Sequence, residues 1–405
     1  MKIMLLTHYF PPEIGAPQAR LSEMAKTWTN EGHEVTVMTA FPNHPTGVIP
    51  PEYKGKWFQT EEANGYTIHR HWVYATPNKG FLKKIIGHLS LMVTLILFSL
   101  FRGKRPDVII VSSPTFFSVF SAFVMGIFRR APFVFEVRDI WPGIFVELGV
   151  LKNKLLIGIL EFFELFLYRR AKYVVPVTHG FKEDIVKRGI PQEKVHVITN
   201  GVDLTFFDQA PPSSLTRSEL GIPQDALIAL YIGAHGISHG LPTLVDAAAV
   251  LEKEVFLLFV GEGAVKNDLM AQAEKLGMKN IKFVPGQPRE RVPDFYRLSD
   301  VCLVPLKDIE GFKTFIPSKM FEIMACRRPI IGSLRGEAAD ILTRSGGALV
   351  IAPENKDALV DALLKLRKDP QLAADMSEKG RVFVEANYSR ESLAKNYLAI
   401  LEGGR

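Results

Sequence analysis

The sequence predicts an α/β protein of two doubly wound domains, and three observations carry that prediction. Short apolar runs recur along the whole chain, stretches with helical spacing separate them, and the alternation breaks once, in DLTFFDQAPPSSLTRSELGIP, before it restarts. A length of 405 residues suffices for two cores, and 47% hydrophobic with 23% charged residues excludes a disordered chain. Strand, helix, strand in succession implies parallel sheets with right-handed crossovers and ligands at the carboxyl ends of the strands. Two such domains are expected to face each other across a cleft. The expected boundaries are 1–204, 205–384 and a terminal segment 385–405 that packs back toward the first domain.

The first domain opens with KIMLLTHYF as a strand, the loop PPEIGAPQ, a helix in LSEMAKTWTNEG and a strand in HEVTVMTAF. Gly15 in that loop can let a ligand approach the backbone. YTIHRHWVY gives the next strand. A nearly continuous apolar run then extends from Ile85 to Phe101, with Lys83, Lys84, Arg102, Lys104 and Arg105 at its ends. It reads as a helix in the membrane interface rather than one that crosses, with packing against the sheet as the alternative. PDVIIVSSP is a strand. PTFFSVFSAFVMGIFRR and LLIGILEFFELFLYRR are apolar helices that also close on basic pairs, Arg129 with Arg130 and Arg169 with Arg170. Three such endings favour a docking face for anionic lipid. Between those two helices PFVFEVRDIWPG is a strand running into Arg138 and Asp139, a candidate site because strand ends in these sheets carry function. An internal ion pair is the alternative. KYVVPVT and KVHVITNGVD complete the domain as strands.

Charge divides unevenly. Residues 1–188 hold 23 Lys and Arg against 15 Asp and Glu, a net +8, and the remainder carries −2. No nucleic-acid module is present, so the basic half points to acidic lipid. Cys302 and Cys326 lack metal-ligand spacing, and both sit in apolar runs. Neither a metal nor a disulfide is expected, and the N-terminus reads as cytoplasmic.

Beyond the break, LIALYIGAHGISHGL, VFLLFVGEG, IKFVPGQ, VCLVPL, RPIIGS and ALVIA supply six strands alternating with helices. The stretch TFIPSKMFEIMACRRP carries the strongest chemistry. Pro317 can open a helix, placing Ser318 and Lys319 in a first turn whose free amides and dipole suit a phosphate. Glu322, one turn further in, can accept hydrogen bonds from sugar hydroxyls of the same ligand. That combination describes a nucleotide site; a solvated Lys–Glu pair is the alternative. The loop GAHGISHG is a second phosphate candidate, with Gly233 exposing amides and His235 and His239 able to donate, more strongly when protonated.

These motifs together resemble glycosyltransferase family 4. PPEIGA, GHEVTVMTAFPNHPTG, VRDIWP, ITNGVD, YIGAHGISHG, FVGEG, LSDVCLVPL and PSKMFEIMACRRPII carry the resemblance. It implies two facing Rossmann-like domains of the GT-B type and transfer of a sugar from a nucleotide sugar with retention. TAFPNHPTG and PSKMFE look closest to bacterial O-antigen, capsule and exopolysaccharide transferases, including those for N-acetyl-L-fucosamine. The implied roles are ribose binding for Glu322, diphosphate contact for Ser318 and Lys319, and a place beside donor and acceptor for Gly15. The family's second glutamate falls on Thr314, and its Arg and Lys in the second-domain loop fall on Ala234 and His239. Lys319 and the two histidines are then the available substitutes. The implied partners are a UDP-sugar donor, probed here by Pro317, Ser318, Lys319 and Glu322, a lipid-linked saccharide acceptor oriented by Asp139 and Arg138, and the anionic inner face of the membrane. A nucleotide-sugar epimerase and a non-catalytic partner subunit are the competing readings.

Overall fold

Along the first strand, alternate residues serve two different cores. Ile3 and Leu5 pack into one and Met4 and Leu6 into the other, because successive side chains of a strand point to opposite faces. A strand buried on both faces belongs to a parallel sheet covered by helices. The computed structural model describes residues 1–13, 15–44, 46–77, 81–101, 105–113, 116–143, 146 and 151–403. It divides into one unit of Met1–Asn200 with Arg390–Arg405 and another of Gly201–Ser389.

The first unit holds β1 (Lys2–Leu6), β2 (Glu34–Ala40), β3 (Phe58–Ala63), β4 (Tyr66–His71), β5 (Val108–Ser112), β6 (Phe133–Val137) and β7 (Tyr173–Pro176), ordered β3-β4-β2-β1-β5-β6-β7. All neighbours pair in parallel except β3 with β4. Helices Phe81–Phe101, Phe116–Arg129 and Lys154–Arg170 cover one face; Ala16–Asn30 and Arg390–Leu401 cover the other. The last helix is fixed by specific bonds: Trp28 Nε1 donates to the Ala394 carbonyl at 2.9 Å, and Arg390 grips Glu23 at 2.7 and 2.8 Å.

Helix Phe81–Phe101 packs one face against the sheet, as the alternative reading of the apolar run had it, and leaves another exposed. Leu91 and Leu95 are fully buried against the sheet, whereas Ile86, Leu89, Val93 and Leu97 are exposed. Those four follow i, i+3, i+7, i+11 spacing and form one outward stripe. Among the described residues no helix is long and apolar enough to cross a membrane. Arg102, Lys104 and the Lys84 side chain lie outside the described residues.

Two strand assignments change. KVHVITNGVD forms only isolated bridges, Val174 with Val195 and Val202 with Ser389. Its carbonyls at Ile198 and Thr199 are taken by the buried Arg20 guanidinium, so they are not offered to a neighbouring strand. Conversely FQTEEA is β3, an antiparallel edge strand whose polar side chains suit its exposure but hide it from a hydrophobic pattern.

The second unit holds β8 (Leu227–Ile232), β9 (Val255–Val260), β10 (Ile281–Val284), β11 (Val301–Pro305), β12 (Ile330–Ser333) and β13 (Ala348–Ile351), all parallel, ordered β10-β9-β8-β11-β12-β13. The order reverses between β8 and β11, the place where such sheets open to receive a ligand. The alternation broke in the sequence at 203–223; by contacts the unit begins at Gly201, and helix Pro370–Asn387 still belongs to it.

Candidate functional site

In the second unit the loops leaving β8 and β9 and the helix Lys319–Ala325 converge. Gly233, the first residue after β8, has φ +137, and a Cβ there would lie 2.7 Å from Lys319 Nζ. The ammonium thus touches the turn that sequence reading marked for phosphate, and it also sits 4.0 Å from the Tyr231 ring centroid. Gly261 at the end of β9 (φ +144) is equally constrained, since a Cβ would come within 2.0 Å of the Gly233 carbonyl oxygen. The two turns stack backbone on backbone, which no larger residue permits.

The helix starts two residues later than the Pro317 opening that the sequence suggested. Its first regular residue is Lys319, with Ser318 as the flanking residue and Pro317 before it, and the opening bonds run from Met320 N to Pro317 O and Phe321 N to Ser318 O. Met320, Phe321, Ile323, Met324 and Ala325 are buried, which leaves Lys319 and Glu322 on the half-exposed side. Tyr296 Oη donates to Glu322 Oε2 at 3.2 Å. The Glu322 carboxylate is therefore oriented by a buried phenol, and among the described residues no donor reaches Oε1. Thr314, where a second glutamate was expected, closes its own turn by donating to the Gly311 carbonyl at 3.1 Å.

Electrostatics separate the lysine from the histidines. Burial lowers Lys319 to about 8, with Glu322 pulling the other way. His235 is pushed down to about 4, mostly by burial and then by the Lys266 charge, and His239 to about 4 by burial and the Lys319 charge. Both imidazoles are neutral near pH 7. The expectation that they stand in as cations is thereby altered: beside a buried ammonium a second positive charge is disfavoured. His235 is also fully buried between Tyr231 and Phe259, so its ring offers no surface to solvent; its backbone links the two turns through His235 N to Glu262 O at 2.8 Å. His239 stays half-buried near Tyr231.

In the first unit Arg138 and Asp139 follow β6. Arg138 N accepts its place from Ser113, donating to Oγ at 3.0 Å, while Nη1 is buried without a hydrogen-bond partner. Burial is the main cause that lowers Arg138 to about 10 and raises Asp139, with the Arg138 charge partly offsetting the latter. Among the described residues no ion pair within 4.0 Å joins the two, and Asp139 remains half-exposed. Gly15 precedes helix Ala16–Asn30 in extended conformation, and a Cβ there would meet the Gln18 side-chain oxygen at 2.4 Å.

Sequence reasoning missed two groups here. The first is Glu136, fully buried in β6, which accepts from Ser112 Oγ at 2.9 Å and from Arg20 at 3.1 Å. The second is a cavity of about 230 Å3 at the carboxyl ends of β1, β2 and β4, lined by His8, Tyr9, Asn43, His44, Tyr74 and His88 among others. The residues come from loops far apart in sequence, so no local spacing announced it. Among the described residues no group of three or more His, Cys, Asp or Glu is placed to hold a metal ion.

Comparison with known proteins fits this arrangement. Residues 15–201 match a glycosyl transferase 4-like domain and residues 213–383 match glycosyl transferases group 1. The putative colanic acid biosynthesis glycosyl transferase WcaI of Escherichia coli K12 is 24% identical over 414 residues, spanning 100% of both chains. Among solved structures, Thermosynechococcus elongatus sucrose-phosphate synthase superposes with TM-score 0.73 at 18% identity over 99% of this chain and 98% of that one. Anabaena Alr3699/HepE in complex with UDP and glucose gives TM-score 0.73 at 17% identity over 100% of each.

Proposed function

The chain is a glycosyltransferase of the hexosyltransferase kind, built on the GT-B fold from a glycosyl transferase 4-like domain and a group 1 domain, and from that premise we propose its reaction. It moves an N-acetylated sugar from a UDP-sugar to a polyprenyl-diphosphate-linked saccharide, with retention, during bacterial surface polysaccharide synthesis. The observation that carries this reading is the Lys319 ammonium lodged against the Gly233 turn one helical turn from the Glu322 carboxylate.

A nucleoside diphosphate needs both groups, and in that separation. Glu322, aimed by Tyr296, accepts from the ribose hydroxyls; Lys319 and the amides of the Gly233 turn meet the diphosphate. As the bond from the anomeric carbon to the diphosphate oxygen breaks, negative charge grows on the leaving group, and a cation fixed in a partly desolvated pocket stabilises that charge more than it stabilises the ground state. The acceptor oxygen bonds to the same carbon and its proton leaves with the departing phosphate. In this reading Lys319 supplies the charge and no metal takes part. Asp139, whose carboxyl is raised by burial, orients the acceptor hydroxyl with Arg138 beside it. A UDP complex of a structural relative and the colanic acid assignment of a sequence relative support the donor and the polysaccharide context.

The outward stripe of helix Phe81–Phe101 supports a lipid-borne acceptor and a place at the cytoplasmic face of the membrane. Ile127 and Phe128 on helix Phe116–Arg129, and Leu155 and Phe162 on helix Lys154–Arg170, are likewise exposed, with Arg129, Arg130, Arg169 and Arg170 at the helix ends. Apolar groups beside cations suit an anionic bilayer surface. The test is UDP release from a panel of UDP-sugars with and without polyprenyl-diphosphate saccharides, with the product's anomeric configuration read by NMR. Acceptor-dependent UDP release and a retained configuration are expected. Interconversion of UDP-sugars without acceptor, or the absence of any nucleotide-sugar binding, overturns the reading.

A further inference from the structure

A donor site that relies on one lysine has to hold it still without neutralising it. Ala234 and His239 occupy the two loop positions where further cations were expected, so Lys319 is in that situation. Among the described residues Lys319 forms no salt bridge. A carboxylate against the ammonium would fix it but would also repel a diphosphate. What meets it instead is the face of Tyr231 in β8, with Nζ 4.0 Å from the ring centroid. An aromatic face attracts a cation through its quadrupole and brings no net charge to oppose an incoming anion.

The ring itself is held firmly. Tyr231 is fully buried, with Phe259 of β9 at 5.7 Å, His235 at 5.8 Å and His239 at 6.1 Å, centroid to centroid. Its hydroxyl donates to the Ala234 carbonyl at 2.7 Å. On the same peptide His235 N donates to Glu262 O at 2.8 Å, so that peptide is bonded at both ends. Gly233 N is likewise taken, by Val260 O at 2.9 Å, whereas Ala234 N has no hydrogen-bond partner among the described residues. The turn thus leaves one amide unspent, in the residue next to the Gly233 that the ammonium touches. The charged and titratable groups facing Lys319 are Glu322 on its own helix, Cys302 on β11, Tyr231 on β8, and His235 and His239 in the loop that follows β8. Burial pushes the Cys302 thiol up to about 12 and the Tyr231 phenol above its ordinary value, and both imidazoles lie at about 4. Glu322 is therefore the one charged group of the set near pH 7, and Tyr296 engages it.

We propose that Tyr231 is a positioning residue of the donor site: its ring seats the Lys319 ammonium, and its hydroxyl sets the turn whose Ala234 amide meets the same diphosphate. The assignment rests on the reading of that site as one for a nucleoside diphosphate. Both duties need this side chain, since phenylalanine keeps the ring and releases the turn, and an aliphatic residue does neither. One phenol then fixes two donors on two elements, the loop after β8 and the helix Lys319–Ala325. Preorganisation of this kind lowers the ordering cost of binding.

The test uses the full chain as wild type, as Tyr231→Phe, and with a trifluorinated phenylalanine at position 231, whose ring keeps its shape but loses its negative face. UDP, inorganic diphosphate and uridine are titrated by calorimetry, with Lys319→Met in parallel. Uridine is read by Glu322, so its affinity is expected to hold in both altered forms, which also reports that they fold. Tyr231→Phe is expected to weaken UDP and diphosphate alike by about tenfold, the scale of one lost hydrogen bond, and to leave proton uptake on UDP binding at pH 8 at about half a proton. Without the ring's pull Lys319, at about 8 in the wild type, holds its proton about tenfold more weakly. More of the free protein is then neutral there, and the fluorinated form is expected to take up about nine-tenths of a proton at pH 8. Unchanged diphosphate affinity in Tyr231→Phe overturns the role of the hydroxyl, and equal uptake with and without fluorine overturns that of the ring. Loss of uridine affinity in Tyr231→Phe marks a general structural effect and overturns both. If Lys319→Met loses UDP while both altered forms bind it as the wild type does, Tyr231 has no positioning role and the transferase reading stands. Failure of the wild-type chain to bind UDP removes the transferase reading and this proposal with it.

Discussion

Lys319 gives the sharpest prediction, because in the proposed donor site one lysine carries the positive charge. Its ordinary value is 10.5, and burial brings it to about 8. The difference is worth about 3 kcal/mol between charged and neutral forms. Below pH 8 the folded and unfolded chains both hold the proton, so the folded protein bears this whole penalty; between pH 8 and 10.5 the unfolded chain binds more protons, and stability rises with pH across that window. Lys319→Met is therefore expected to raise the melting temperature of the free protein at pH 7 while removing most stabilisation by UDP. A diphosphate beside the ammonium raises its value again, so UDP binding takes up a proton, about half a proton at pH 8 and about a tenth at pH 7. Above pH 8 the affinity for UDP falls by about tenfold per unit. The phosphate itself titrates near 6, so it still carries about a tenth of a proton at pH 7 and offsets the uptake there, whereas at pH 8 it is ionised to about 99% and the count reports on Lys319. His235 and His239, both at about 4, do not contribute. Calorimetry in buffers of different ionisation enthalpy reads the proton count directly. No uptake at pH 8, with a flat affinity between pH 7 and 9.5, would refute the assignment of Lys319 to the diphosphate.

Glu322→Ala is expected to weaken UDP and uridine alike, by about 1.5 to 3 kcal/mol, whereas Lys319→Ala spares uridine; equal loss for uridine in both variants would contradict the division of roles. Asp139→Asn is expected to lower sugar transfer far more than donor hydrolysis or UDP affinity, measured as UDP release with and without acceptor. Ser at Ile86, Leu89, Val93 and Leu97 should reduce flotation with anionic vesicles even in high salt, while Ser at Lys83 and Arg105 should reduce it only at low salt, because screening acts on the charge contribution and not on apolar burial.

The strands that proved legible are those buried on both faces. VIIVS, FVFEV, VFLLFV and VCLVP are apolar but for Ser112 and Glu136, because helices cover both sides, and such runs stand out in a sequence. β3 was invisible because an exposed edge strand keeps polar residues, and KVHVITNGVD misled because the partner of its carbonyls is a guanidinium 178 residues away. Lys319, Glu322 and Gly233 were legible since a helix start and a glycine turn announce themselves locally. The neutral state of His235 and His239 was not, because it arises from burial and from the Lys319 charge, neither of which is a property of the loop that holds them. The histidine cavity was hidden for the same reason: its walls meet only after three strands have paired.

The buried carboxylates of the first unit and the lysine of the second are compensated differently, and the contrast supports the proposed placing of donor and acceptor. In the second unit a cation is left incompletely compensated: Lys319 has a ring face and a glycine turn for neighbours, and Glu322 is engaged by Tyr296. An incompletely compensated cation is costly alone and gains most from an anion, which is the condition for a site that waits for a diphosphate. In the first unit the buried carboxylates are satisfied in place. Glu136 takes Arg20 and Ser112, Glu164 takes Arg188 at 2.6 Å and Tyr168 at 2.8 Å, and Glu13 takes three backbone amides. These charges have nothing to offer a ligand. They hold the strand-end loops that carry Asp139, His8 and His44, including the Trp141 amide that Glu164 accepts at 3.2 Å. Loops held rigid in this way discriminate among hydroxyl patterns, for which geometry matters more than charge, and that suits the saccharide acceptor proposed above.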